Sequence, residues 1–376
     1  MPPPPTAPTT VPDPSRRAAA LGVRERVEEV LAAFLEDQRA VLGELGEDCE
    51  PLLRAVTTLL DGGKRLRPAF CYWGYRGADG ALTGRSEEGI VTAAAALELF
   101  QAAALLHDDV MDDSDTRRGR PAAHRWFAAL HADDGWAGSA ERFGLAGAVL
   151  AGDLCLAWSD ELYERAPLGA EALRRGRRVF ETMRTQLMGG QYLDMLEQAC
   201  SERLGPAGAV ERARRVVRFK SAKYSVEHPL LLGATLAGAP QPLLADLSRF
   251  GLALGEAFQL RDDVLGVFGD PAETGKPAGD DLREGKRTVL VALALRAASP
   301  AQAALVSRHL GDPALDAAGV EALREVLTGT GALDGVEGMI AEQVDTACEA
   351  LDAADLTEPA RAALHELVVA ATSRRS

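Results

Sequence analysis

The sequence predicts an all-α protein in one domain, and three observations carry that prediction. Ala and Leu dominate the 376 residues, only 5% of residues are aromatic, and β-branched runs are scarce, a composition that favours helices over sheets. From about Leu21 onward, amphipathic segments with a 3.6-residue period follow one another, divided by short Gly/Pro/Asp punctuation. No repeat at a fixed period and no long linker interrupts them, and 47% hydrophobic residues suffice for one large core. Residues 21–376 are therefore read as a single helical domain.

The elements follow in order. Residues 1–20, MPPPPTAPTTVPDPSRRAAA, contain no apolar stretch of the signal-peptide kind, and their Pro and Thr content reads as a disordered tail. ALGVRERVEEVLAAFLEDQRAVL is the first amphipathic helix. A break at Asp61-Gly62-Gly63 leads into GGKRLRP, where a Gly-Gly loop ahead of Lys64 and Arg67 can lay backbone N–H groups on a phosphate. After a second break at Gly77 to Gly84, the run IVTAAAALELFQAAALLHDDVMD has no breaker and is read as one helix from Glu87 to about Asp112. Beyond Gly135 to Gly138, the segment from Arg174 to Gln198 is again helical, ending before the break at Pro206. GLALGEAF begins a further apolar helix that ends in Asp262 and Asp263. A Gly/Pro-rich loop follows, carrying Lys276, Asp280, Asp281, Lys286 and Arg287. The last 75 or so residues, broken at Gly311-Asp312-Pro313, are expected as a peripheral helical pack.

Charge and cysteine usage exclude several classes. A net charge of −15 with no basic stripe argues against a nucleic-acid partner. The five cysteines are odd in number and form no C-x-x-C pair, so free thiols in a reducing cytosol are expected and a cytoplasmic location with them. No stretch of about 18 apolar residues is free of charge, so no transmembrane segment is expected.

The chemistry is concentrated where apolar helices end in acid. At 100° per residue Asp108 and Asp112 lie on one helical face, while Asp109 points about 100° away. Two carboxylates at i and i+4 repel unless a cation sits between them, and Mg²⁺ takes oxygen ligands of this kind together with substrate phosphates. Asp262 and Asp263 repeat the arrangement, and two antiparallel helices could bring both pairs to one cavity mouth, with three metal ions clamping a diphosphate. Lysine occurs only at Lys64, Lys220, Lys223, Lys276 and Lys286 among 41 basic residues, and four of the five fall in short charged motifs near apolar helix ends. A compact ammonium on phosphate is a reason to keep Lys in a chain that otherwise uses Arg.

Assembled, these pieces resemble the trans-isoprenyl diphosphate synthases, the polyprenyl synthetase family. GGKRLRP, LLHDDVMD with RRG after it, GQYLD, FKSA, FQLRDD, TGK and DLREGK occur in the family's order between about Leu21 and Arg296. LAGDLCLAWSDEL and the stretch after Asp262 look most like bacterial geranylgeranyl diphosphate synthases of the actinobacterial kind. The resemblance implies an isoprenoid-synthase helical bundle around a central cavity, a homodimer, and condensation of isopentenyl diphosphate with allylic diphosphates. It implies Mg²⁺, three ions per site, with Asp108 and Asp112, Asp109 beside them, and Asp262 as ligand residues. Arg117, Lys220 and Lys276 match positions that hold the allylic diphosphate, and Lys64, Arg67, Gln101 and Arg118 those that hold isopentenyl diphosphate. Ser221 and Gln259 match polar positions near the developing cation, and Gln191, Asp194, Asp263, Asp281 and Lys286 sit in further family motifs. Gly266 departs from the family, where a third aspartate is common, leaving the second motif dependent on Asp262, Asp263 and the loop acids. Ser221 replaces a commoner Thr and keeps the hydroxyl.

Product length is read along the helix before Asp108. Ala104 is one turn down the same face, Gln101 about 10 Å down and Leu97 about 16 Å down. In the family a bulky residue four or five positions before the first Asp stops growth near C15; here Ala103 and Ala104 are both small, so Phe100 or Leu97 is the expected floor and C20 the expected product, with a farnesyl (C15) or longer-chain polyprenyl product as the alternative. His107 is expected to be structural. A class I terpene cyclase is disfavoured because the chain contains no Asn, and an HD-type phosphohydrolase because the six histidines are scattered. A non-catalytic partner subunit remains as the binding-module alternative.

Overall fold

The computed structural model describes residues 14–80, 84–205, 207–270 and 279–372, and helices make up most of them. Helix α1 (Pro14–Gly43) begins before Leu21, shortening the expected tail, whose residues 1–13 lie outside the described residues. Pro is tolerated in a first helical turn and the SRRAAA that follows is rich in helix formers, so the helix extends into a stretch read as tail. Then come α2 (Glu50–Leu60), α3 (Leu66–Gly77), α4 (Gly84–Met111), α5 (Ala123–Asp133), α6 (Ala140–Arg165), α7 (Ala170–Leu204) and α8 (Ala209–Val216). A π-helical segment (Val217–Glu227) runs straight into α9 (His228–Ala237), followed by α10 (Gln241–Phe268). The remainder is α11 (Asp280–Arg283), α12 (Val289–Ala297), α13 (Pro300–His309), α14 (Ala317–Gly329), α15 (Ala332–Ala353) and α16 (Glu358–Thr372). One hairpin, pairing Thr116–Arg117 with Arg120–Pro121, interrupts the helices.

Helix α4 is the axis. Every residue from Gly89 to Phe100 is buried, which is what an all-round apolar helix requires. Both α4 and α6 are long and apolar enough to cross a membrane by length and composition; 83% of the apolar stretch of α4 and 39% of that of α6 is buried inside the protein. The charge-free criterion applied to the sequence missed both, because each carries an acidic residue within its span. Their inner faces are instead spent on the core, where glycine lets α6 approach: a Cβ at Gly152 would lie 2.2 Å from the His107 ring.

Helices α3 and α9 meet backbone to backbone. A Cβ at Gly74 would lie 2.2 Å from the Leu230 carbonyl oxygen, and one at Gly233 would lie 1.8 Å from that of Cys71. Only glycine permits an approach that close.

The C-terminal helices are not peripheral, contrary to the sequence expectation. Leu260, Val264 and Val267 of α10 would face water without them, and instead share a buried core with Leu290, Val320, Leu323 and Val336. The chain then returns to α3. Thr357 donates its hydroxyl to the Arg76 carbonyl (2.9 Å) and its N–H to that of Gly77 (3.2 Å), and Ala360, Leu364 and Val368 join the main core. By cladding α10 these helices fix the helix that carries Asp262 and Asp263.

Gly233→Ala is expected to lower unfolding stability by about 1–3 kcal/mol, because neither backbone can retreat. Gly338→Ala, whose Cβ would meet nothing within 4 Å, is expected to gain up to about 1 kcal/mol from helix propensity. Urea titrations of the two variants check this; equal responses would contradict the close approach of α3 and α9.

Candidate active site

The end of α4 forms one acidic wall. The Asp112 N–H donates to the Asp108 carbonyl (2.8 Å), so Asp112 stands one turn beyond Asp108 although the helix ends at Met111. Asp108 Oδ1 accepts from Lys220 Nζ (3.1 Å) and Gln191 Nε2 (2.7 Å), and the same ammonium donates to Asp194 Oδ2 (2.6 Å). Asp109 turns away from Asp108, as the helical angle requires, and is buried where its Oδ1 accepts from Arg117 Nε (2.9 Å) and Nη2.

Arg117 reaches Asp109 because the chain reverses sharply after it. Arg118 and Gly119 have φ of 54° and 71°, a two-residue turn of the type that matches the twist of a hairpin. The turn sends Arg118 the other way: Nη1 donates to the carbonyls of Leu59 (2.8 Å) and Asp61 (3.2 Å), clipping the loop that carries Lys64. That loop turns through Gly62 and Gly63, with φ of 77° and 98°, and is anchored on its far side by Arg65. The buried Arg65 guanidinium meets Glu98 of α4 at 2.6 Å.

The π-helical segment supplies the roof. Its wider coil brings residues four and five apart onto one side, and Lys220, Ser221, Tyr224 and Ser225 all line the cavity. Arg67 is held there twice, by donating to Ser225 Oγ (2.7 Å) and by lying 4.1 Å over the Tyr224 ring.

The second acidic wall is α10. Asp262 and Asp263 both line the cavity, Asp263 being nearly buried and accepting from Gln259 Nε2 at 2.8 Å. Between the walls lies Lys286, whose Nζ is 3.2 Å from Asp281 Oδ1, 2.5 Å from Glu284 Oε2 and 3.7 Å from Asp112 Oδ2.

The cavity these walls enclose measures about 950 Å³. Its mouth carries Lys64, Arg67, Arg117, Arg118 and Lys220, together with Gln101, Asp108, Asp262 and Asp263. Its depth is apolar, closed by Phe100, Ala104, Leu156 and Leu187. Phe100 sits edge-on to Tyr224 at 6.1 Å and tilted against Phe180 at 6.4 Å.

Two expected pocket residues are not on it: Leu97 and Ala103 are fully buried and do not line the cavity. Ala103 is rotated about 140° from Asp108 around the helix, into the core, while Leu97 shares the face of Asp108 but lies below the Phe100 floor. Asp109 and Asp112 stand behind the cavity surface rather than on it, and Lys276 lies outside the described residues. His107 packs its ring on Gly152 and approaches the Val149 carbonyl at 3.3 Å. Tyr224, Ser225 and the Met188, Tyr192, Met195 stripe of α7 were not read from the sequence, whereas Arg287, read in the charged loop after Asp263, does line the cavity. The stripe's i, i+4, i+7 spacing was a usable signal.

Burial alone would raise the Asp108 carboxyl, but Lys220, Lys286 and Arg117 outweigh it and hold it at about 2. For Asp112 burial wins, and with the Asp108 charge nearby its carboxyl is pushed up to about 6. Burial also raises Asp263 well above the usual carboxylate range. Among the described residues no group of three or more His, Cys, Asp or Glu is close enough to hold a metal ion unaided. The donors nevertheless suit a hard cation: Asp108, Asp262 and Asp281 offer carboxylate oxygens to one cavity, and the buried Asp112 Oδ2 accepts no hydrogen bond. Substrate oxygens would have to complete the coordination.

A sequence profile of the polyprenyl synthetase family matches residues 50–327. The chain belongs to the polyprenyl synthetase family. Its members are trans-prenyltransferases. The chain is 40% identical to a geranylgeranyl pyrophosphate synthase of Corynebacterium glutamicum, solved with isoprenyl diphosphate and magnesium; the match covers 95% of this chain and 98% of that one, at a TM-score of 0.88. It is 32% identical over 306 residues to the geranylgeranyl diphosphate synthase of Mycobacterium tuberculosis, covering 81% of this chain and 79% of that protein. It is also 32% identical over 347 residues to heptaprenyl diphosphate synthase component 2 of Geobacillus stearothermophilus, covering 90% of this chain and 94% of that protein. Family membership therefore leaves product length open.

The Asp112 value yields a signed prediction. Its ordinary value is 3.8, so between about pH 4 and 6 the folded protein holds a proton that the unfolded chain has lost. Stability in the absence of metal should thus fall as pH rises through that window, by about 1–3 kcal/mol, and Asp112→Asn should lack this loss. Urea midpoints in EDTA from pH 4 to 7 test it; a difference between wild type and variant that does not change with pH would contradict it.

Proposed function

We propose that this protein is a Mg²⁺-dependent geranylgeranyl diphosphate synthase, condensing isopentenyl diphosphate with allylic diphosphates by head-to-tail elongation. The observation that carries the reading is one cavity with an acidic and cationic mouth and an apolar depth that ends at Phe100. Such a cavity suits a molecule with a diphosphate at one end and a hydrocarbon chain at the other.

Arg117 and Lys220, with Lys276, would take the allylic diphosphate, while Lys64, Arg67 and Arg118, with Gln101, would take isopentenyl diphosphate. Three Mg²⁺ ions held by Asp108, Asp112 and Asp262 would neutralise the allylic diphosphate and stabilise it as a leaving group. The C1–O bond then breaks with its electron pair on the diphosphate, leaving an allylic cation. Ser221 and Gln259, both on the cavity wall, present oxygen dipoles toward that cation rather than a base that would quench it. The double bond of isopentenyl diphosphate attacks C1, and loss of one proton to the departed diphosphate restores an alkene. Arg118, pinned by two carbonyls, and Arg67, pinned by Ser225 and Tyr224, keep the acceptor fixed while the chain moves deeper.

Ala104 leaves the upper wall open, and Phe100, about 12 Å below Asp108, is the floor that supports a C20 product. The exposed face of α6, with Phe143, Val149 and Leu150 outward, supports assembly as a homodimer. A cytoplasmic location is part of the same reading.

The test incubates purified protein with isopentenyl diphosphate, Mg²⁺ and each of the C5, C10 and C15 allylic diphosphates, and identifies the dephosphorylated products by chain length. Geranylgeraniol from all three is the expected result; no condensation by the protein alone would favour the partner-subunit reading. Ala104→Phe should shift the main product to C15, and Phe100→Ala should lengthen it to C25 or beyond. Unchanged product length in both variants would overturn the assignment of Phe100 as floor. Asp108→Asn should lower turnover at least about 100-fold.

A further inference from the structure

Gly266 lies on α10 one turn after Asp262 and lines the same cavity. It is not a gap. A Cβ built on Gly266 would lie 2.0 Å from Asp281 Oδ2 and 2.6 Å from Asp281 Cγ. The carboxylate of Asp281 therefore fills the space that a side chain at position 266 would take, and does so only because residue 266 is glycine. Asp281 itself lines the cavity, with 14% of its side chain exposed.

A second, independent feature points to a cation at this carboxylate. Behind the cavity surface at the end of α4 the Asp112 side chain is 97% buried, and its Oδ2 accepts no hydrogen bond. The Lys286 ammonium sits between the two acids, 3.2 Å from Asp281 Oδ1 and 3.7 Å from Asp112 Oδ2. Three carboxylates, Asp112, Asp281 and Glu284, share that one partly buried ammonium, so negative charge is in excess there and a further cation would balance it. Asp281 Oδ2, the oxygen over Gly266, faces away from the 3.2 Å contact that Oδ1 makes with Lys286 and is the donor left to a ligand on the α10 side.

We propose that Asp281 is a metal-positioning carboxylate of the second acidic wall, standing where a side chain at position 266 would stand, and that Gly266 is the residue that admits it. This rests on the reading of the cavity as a site for divalent cations with a diphosphate. Asp281 belongs to the short helix α11, whereas Asp262 belongs to α10 itself. The second wall is thus assembled from two pieces of chain.

The probe is Mn²⁺ with inorganic pyrophosphate, bound ions being counted from the electron paramagnetic resonance signal of free Mn²⁺ with the full-length protein. Asp281→Asn is expected to weaken at least one bound ion by about tenfold or more, the usual scale for losing a group that orients or holds a metal. Gly266→Ala keeps every carboxylate but displaces one, and should show a comparable loss. The paired change Gly266→Asp with Asp281→Gly returns the carboxylate to α10, and should recover binding to within about threefold of wild type. A structural role through Lys286 is separated by repeating Asp281→Asn in a Lys286→Gln background, where a further loss of about tenfold is expected.

Titrations of Asp281→Asn that superimpose on wild type, or no further loss in the Lys286→Gln background, would overturn the proposal. Asp281→Asn is nearly isosteric, so it decides the matter even where the glycine variants melt without cooperativity. A wild-type protein that binds no Mn²⁺ with pyrophosphate and forms no prenyl product would remove the underlying reading. Product formation together with an unchanged Asp281→Asn titration would remove this proposal alone.

Discussion

The Lys220 ammonium, shared between Asp108 and Asp194, is the contact on which the site depends. It ties together three elements: the end of α4, the middle of α7 and the π-helical segment. Each partner is largely removed from water, so losing any one of them would strand a buried charge at a cost of several kcal/mol. The same contact keeps Asp108 ionised against the tendency of burial to protonate it. A carboxylate that stays charged in a dry pocket is what a cation-dependent reaction needs from its protein.

From that contact the cavity polarises along its length. The cations of the mouth gather at one end, carried there by backbone geometry that few sequences adopt: the Gly62-Gly63 loop, the left-handed Arg65 that follows it and the Arg118-Gly119 turn. Opposite them the apolar residues of α4, α6 and α7 descend to Phe100, which is braced by Phe180 and Tyr224. Such a gradient sets a molecule's direction before any chemistry occurs. It also leaves chain length to a few side chains on the floor, which is consistent with relatives bearing names of different product lengths.

Much of this was legible in the residues themselves. Helix α4 could be read because it has no breaker and is apolar all round, and the directions of Asp108 and Asp109 followed from 100° per residue. The basic motifs could be read because lysine is scarce in this chain. The π-helical segment could not, since i to i+5 bonding brings Tyr224 and Ser225 to the cavity on a period that a 3.6-residue reading does not sample. The role of α14 and α15 was equally hidden: it lies in what they cover, Leu260 and Val264 of α10, and only the packing shows that. Gly266 read as a missing acid, yet its empty side holds the carboxylate of a residue 15 positions later in the chain.

The polarised cavity requires a diphosphate to bind at the mouth with its hydrocarbon chain directed to Phe100. A crystal structure with Mg²⁺ and a non-ionisable allylic thiodiphosphate tests it most directly. The phosphorus atoms are expected between Asp108 and Asp262, beside Lys220 and Arg117, with the chain ending against Phe100. Finding the diphosphate instead in the outer pocket formed by Arg174, Arg175 and Arg178, with the central cavity filled by solvent, would contradict it.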